Sequence, residues 1–276
     1  MAEDPHVALK RDVLVRYLDA WTAVVLRSHR GATYVESDSG FVADALRVFG
    51  EFTDRLDGQL LDVLVLGAGP VGEPPAGVSV RAADAGEVKV AGPMLAHLDA
   101  VVNSTLDPWR LVASLAPGKA REVLLALPAV ETDYRQRLRA AGLACVVAVE
   151  LVDDDGRAQL LVFATGDSRH LATFKNELWA VDEFAGIRYR DPHDAERTLV
   201  DISLTPQLLP LRHALLAELA RQGSRTVAEL QQYTLLETIY RPADAVGALT
   251  SAASAGDITR EPAKGRLTPR TVVTAS

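Results

Sequence analysis

Residues 144–164 read ACVVAVELVDDDGRAQLLVFA: two β-rich apolar runs, 144–152 and 158–164, joined by Asp153-Asp154-Asp155-Gly156-Arg157. An acidic turn containing glycine between two such runs is a hairpin signal. The three adjacent acids offer a second reading as a cation chelate, and the solvated turn is the simpler of the two. Upstream lie four more apolar runs, at 61–66, 78–82, 98–102 and 123–127. Their hydrophobicity is nearly continuous where a half-exposed strand would alternate, which predicts a sheet covered on both faces, as in parallel α/β proteins. The expected fold is therefore α/β, with a mostly parallel sheet that closes in a C-terminal antiparallel hairpin.

Helices account for what covers the sheet. Over 6–29, Val13, Leu14, Tyr17, Leu18, Trp21, Val24 and Val25 recur every three or four positions, the spacing of one buried helical face. A β-rich stretch, Ala32-Thr33-Tyr34-Val35-Glu36, follows, and then a second helical pattern over 41–56. Asp107-Pro108-Trp109 opens a helix with an acid cap and proline at the first helical position. Residues 132–141, closed by Gly142, and 168–186 read as further helices. After a linker at 189–206 come three helices, at 208–222, 226–238 and 242–255, and a tail that alternates apolar and polar around a turn. Thr226 and Glu229 form a capping box for the middle helix. Three helices and a β-ribbon predict a winged helix. The expected organisation is a Rossmann-like α/β domain over 1–188, the linker, and the winged-helix domain over 207–276.

Composition excludes several function classes. The chain has 276 residues, 48% hydrophobic and 24% charged, so it can bury a core and is not disordered. Its net charge of −8 is uneven: residues 201–276 carry eight basic and seven acidic side chains, leaving about −9 on residues 1–200. An acidic main domain disfavours a broad nucleic-acid groove. No apolar run approaches membrane-spanning length, and the acidic N-terminus lacks the look of a secretory signal, so a soluble cytoplasmic protein is expected. Cys145 is the sole cysteine and reads as a small buried hydrophobe; six scattered histidines show no metal-ligand spacing.

Gly67-Ala68-Gly69-Pro70-Val71-Gly72 follows the run 61–66 and is a literal GxGxxG. Such a loop holds a phosphate when a helix N-terminus comes directly after it. Glu73-Pro74-Pro75 cannot be a helix interior, so a plain turn is the first reading, ahead of a cofactor-facing loop and, last, a dinucleotide site. In the winged helix the groove reader would be 242–255, which contains no Arg, Lys, Asn or Gln. Arg241 precedes it, and Arg260, Lys264, Arg266 and Arg270 lie on the ribbon. Weak backbone contact is open to them, base readout is not expected, and protein–protein packing by this domain is at least as well favoured.

The sheet ending in a hairpin resembles class I S-adenosylmethionine methyltransferases. Several short segments add to this: Lys10-Arg11-Asp12-Val13-Leu14-Val15-Arg16-Tyr17-Leu18-Asp19-Ala20-Trp21, Ala32 to Glu36, Phe174-Lys175-Asn176-Glu177-Leu178-Trp179-Ala180-Val181-Asp182, Thr226 to Leu230 and Glu237-Thr238-Ile239-Tyr240-Arg241-Pro242. Together they resemble the three-Cys-motif partner family, bacterial proteins with a methyltransferase-like domain and a C-terminal winged helix. The resemblance implies a protein partner, a radical-SAM-like three-Cys-motif protein, and a cofactor loop after the first strand. Glu36 falls at that loop's acid and Gly40 at its first glycine, with Ser37 and Asp38 between, while the second glycine is missing. The loop needs glycines for close backbone approach, so impaired cofactor binding is expected.

Three functions follow as expectations. The first is a degenerate methyltransferase-like scaffold, a pseudoenzyme that works through its partner. The second is a divergent methyltransferase, with Glu36, Ser37, Asp38, Gly40 and Asp84 holding S-adenosylmethionine and Asp107 and Trp109 orienting the methyl acceptor. Asp107 is equally a plain helix cap. The third is a winged-helix regulator on DNA.

Overall fold

The computed structural model describes residues 4–56, 58–67, 73–84, 88, 90, 92–181 and 186–276. Its framework is a nine-stranded sheet of β1 (Gly31–Glu36), β2 (Leu60–Leu66), β3 (Val78–Ala83), β4 (Met94–Asp99), β5 (Arg121–Pro128), β6 (Cys145–Asp153), β7 (Ala158–Thr165), β8 (Ile187–Arg190) and β9 (Leu199–Asp201). The spatial order is β3-β2-β1-β4-β5-β7-β6-β8-β9. From β3 to β5 every pairing is parallel. β7 lies antiparallel to β5 and β6, and β8 antiparallel to β6 and β9. All strands but β7 and β8 thus point the same way, a mostly parallel mixed sheet of Rossmann-like α/β type.

Successive side chains in a strand point to opposite faces, and both faces here are apolar. On β5, Leu124 joins one core while Val123, Leu125 and Leu127 join the other; on β6, Val147, Val149 and Leu151 face one way and Val146 and Ala148 the other. Among the described residues, five helices cover them: α1 (Pro5–Ser28), α2 (Val42–Gly50), α3 (Pro108–Leu115), α4 (Tyr134–Ala140) and α5 (Ser168–Leu178). The first face takes α1, α2 and α5, the second α3 and α4. α1 begins where the Asp4 side chain accepts from His6 N with Pro5 in the first turn, and it ends where His29 turns extended. Its stripe from Leu9 to Val25 is buried, each large apolar side chain contributing about 1.5–3 kcal/mol.

A second unit follows: α6 (Leu209–Gln222), β10 (Arg225–Thr226), α7 (Val227–Glu237), α8 (Asp244–Ala255), β11 (Ile258–Glu261) and β12 (Val272–Ala275), with its strands in the antiparallel order β10-β12-β11. The Thr226–Glu229 capping box is present. Gly223 and Gly256 end α6 and α8 at φ 78° and 83°, conformations that favour glycine. The unit is tied to the sheet through α5. The fully buried Lys175 ammonium donates to the carbonyls of Thr234, Leu235, Thr238 and Tyr240, and Trp179 Nε1 donates to Ile239 O.

Two stretches differ from the sequence expectation. The strand predicted over 98–102 occupies Met94–Asp99 instead, because the Asp99 carboxylate accepts from Val101 N and Val102 N and turns the chain there. Residues 189–206, read as a linker, share β8 with the preceding segment and contain β9. Ile187 and Tyr189 are buried while Arg188 and Arg190 stay half-exposed, so this short alternating run extends the sheet. No helix among the described residues is long and apolar enough to cross a membrane.

Candidate functional site

In open parallel sheets, ligands bind at the C-terminal ends of the strands. Here β1 and β4 end side by side, with Glu36 opposite His97 in register. Both side chains are completely buried. His97 Nδ1 lies 2.9 and 3.0 Å from the two Glu36 oxygens, Asp38 N donates to Oε1 at 2.8 Å, and Tyr34 OH donates to Oε2. One step further on, Asp99 N donates to Ser37 Oγ at 2.8 Å. Asp99 Oδ1 closes the turn to Val101 and Val102, and Oδ2 accepts from the Lys10 ammonium of α1. Lys10 is 1% exposed and Asp99 0%.

These partners follow from burial. A carboxylate taken out of water needs compensating donors, and each of the two strand-end acids is surrounded by donors from this chain. Burial raises the Tyr34 pKa far above its ordinary value, and the Glu36 carboxylate adds to the effect, so the phenol stays a donor. Burial opposes a charged ring at His97, and the Glu36 carboxylate outweighs it, so the pKa is raised. His97 Nε2 is buried without a hydrogen-bond partner among the described residues, and the ring packs edge-on against Phe41.

The residues expected to hold a cofactor are thus partly inside the protein. Glu36 and Ser37 are buried, Asp38 is half-buried, and Gly40 and Asp84 are exposed. Asp38 Oδ1 accepts from Gly40 N at 2.9 Å and starts a short 3-10 turn over Ser39–Phe41. A Cβ on Gly40 would meet the Asp38 side chain at 3.2 Å, and no positive φ demands glycine there. Most of the GxGxxG, 68–72, lies outside the described residues.

Asp107 and Trp109 are not brought to this cluster. Asp107 caps α3, accepting from Trp109 N and Arg110 N at 3.1 Å. Trp109 packs against the opposite face of the sheet, beneath the Arg137 guanidinium at 4.9 Å. Cys145 is half-buried, and burial raises its thiol pKa, which leaves it a weak nucleophile. Among the described residues no group of three His, Cys, Asp or Glu is arranged to hold a metal ion.

Of the basic residues proposed for nucleic acid, Arg241 is occupied by Asp244 and by Leu204 O, and Arg260 donates to Gly265 O. Lys264, Arg266 and Arg270 are exposed. Tyr34, Lys10, His97 and Asp99 are not among the residues expected at the site. For His97 and Asp99 a signal exists: Leu95-Ala96-His97-Leu98-Asp99 sets two polar side chains two apart in an apolar run, on one face of a buried strand. Comparison with family models and with curated proteins gives no match.

Proposed function

We propose that this chain is a methyltransferase-like scaffold that works through a protein partner, a pseudoenzyme in which the cofactor position at β1 and β4 is filled by its own side chains. The observation that carries this is the Lys10–Asp99 and Tyr34–Glu36–His97 network. Groups that would meet ribose hydroxyls or a methyl donor are buried and already hydrogen-bonded. The order β3-β2-β1-β4-β5-β7-β6 with β7 reversed supports a methyltransferase-like sheet. Helices α6, α7 and α8 with the β11–β12 ribbon support a winged helix in the second unit. Its α8 carries no basic residue and Arg241 is paired internally, which favours protein contact over DNA readout. By resemblance the partner is a radical-SAM-like three-Cys-motif protein in a bacterial cytoplasm.

Titration calorimetry with S-adenosylmethionine and S-adenosylhomocysteine tests this. The expected result is no heat and no thermal stabilisation at about 1 mM, where even weak binding raises stability. Micromolar binding that is lost in Asp38→Ala would return the methyltransferase reading to first place.

A further inference from the structure

At the opposite, N-terminal edge of the parallel strands lies a cavity of about 700 Å³ between the end of α1, the start of α5 and the loops before β5 and β6. This is within the roughly 300–1,000 Å³ typical of small-molecule sites. Its lining includes the apolar side chains of Val24, Val25 and Leu143 and the basic side chains of His29, Lys119 and His170. Behind His170 sits Glu122, 1% exposed, near the start of β5. Its Oε1 lies 2.6 Å from His170 Nδ1 and its Oε2 accepts from Tyr17 OH.

One oxygen of this buried carboxylate therefore orients the imidazole while the other is anchored by the phenol. The Glu122 contact sets Nδ1 as the donor, and Nε2, without a hydrogen-bond partner among the described residues, is left for the cavity. The other charges around it are accounted for. Arg169 is paired with Asp167, the α5 cap, and the Arg121 guanidinium donates to the carbonyls of Pro117, Gly92 and Val90. Lys119 and His29 have no charged partner among the described residues. The cavity thus combines a half-buried, carboxylate-backed imidazole and an uncommitted ammonium with three aliphatic side chains.

We propose that this cavity binds a small organic oxyanion, a phosphate monoester or a carboxylate with an apolar body. Nε2–H of His170 and the Lys119 ammonium hold the charged end, and the body lies on Val24, Val25 and Leu143. The hydrogen bond to Glu122 raises the His170 pKa above its ordinary 6.5 against the pull of burial, with Asp167 adding and Arg169 opposing, so the ring carries its second proton in mildly acidic solution. The site is separate from the filled edge at β1 and β4 and does not depend on whether a methyl donor binds there.

Calorimetry with phenyl phosphate, benzoate and inorganic phosphate near pH 6 tests it, using the full chain, Lys119→Ala and His170→Gln. Lys119 is exposed, so its alanine variant keeps the fold, and the amide introduced by His170→Gln retains a donor for Glu122. An aryl probe should bind more tightly than inorganic phosphate, and each substitution should weaken it about tenfold, as expected for loss of a hydrogen bond to a charged group. Binding of phenyl phosphate alone identifies a phosphate ester as the ligand, and of benzoate alone a carboxylate. No binding of either aryl probe at about 10 mM, or affinities unchanged in both variants, overturns the proposal.

Discussion

Lys175→Met removes the ammonium that joins α5 to the second unit while keeping the unbranched stem. In the folded protein that ammonium faces four carbonyl oxygens at 2.9, 2.6, 2.6 and 2.9 Å. Each hydrogen bond contributes about 1.5–3 kcal/mol while the donor is charged and about 0.5–1.5 kcal/mol once it is the neutral amine. Against this stands desolvation, which pulls the Lys175 pKa from 10.5 down to about 7, with Asp191 opposing and Arg135 assisting. Leaving a buried carbonyl unpaired costs about 1–3 kcal/mol, and with the relieved desolvation we expect a loss of about 3 kcal/mol at pH 8. Urea unfolding followed by tryptophan fluorescence reports on it, since Trp179 is buried and bonded to Ile239 O beside the lysine. The pH dependence supplies a second check. Between the folded pKa near 7 and the unfolded 10.5, the unfolded chain holds a proton that the folded chain does not. Wild-type stability relative to the methionine variant therefore rises with pH in that window, by about 1.4 kcal/mol per unit, and falls away as pH drops toward 7. A deficit under about 1 kcal/mol at pH 8, or one that does not change up to pH 10, would refute the role given to Lys175.

Lys10→Met should destabilise by about 3–5 kcal/mol because it leaves Asp99 buried without its counter-ion; adding Asp99→Asn should recover part of the loss, which chemical denaturation of the single and double variants measures. His97 is held protonated above pH 6.5 by Glu36, so its share of stability is complete below 6.5 and is lost as pH rises through the raised folded pKa; an imidazole NMR titration with a midpoint at or below 6.5 would contradict this. Asp107→Ala should cost about 1 kcal/mol as a lost helix cap, visible as a shift in the urea midpoint.

Local patterns carried much of the architecture. The three-and-four spacing from Val13 to Val25 is enough for α1, Asp107-Pro108 for the start of α3, and the acidic glycine turn at 153–157 for the β6–β7 hairpin, because each depends on neighbours in the chain. β4 starts four residues and ends three residues upstream of the expected run, since its end depends on what the Asp99 carboxylate meets, a matter of contacts with Val101, Val102 and distant Lys10. β8 and β9 were hidden among turn residues; their strand character comes from pairing with β6 and with each other.

The sequence by itself determined that strands and helices alternate, that the sheet is covered on both faces, and that Glu36 closes the first strand. Only the tertiary structure decided whether that acid faces solvent or the interior. Lys10 and Asp99 are 89 residues apart and Glu122 and His170 48 apart. Nothing local marks a charge as paired when its partner arrives from another element, and burial turns such a charge from a solvated acid into a bonded strut or, at His170, into an oriented donor.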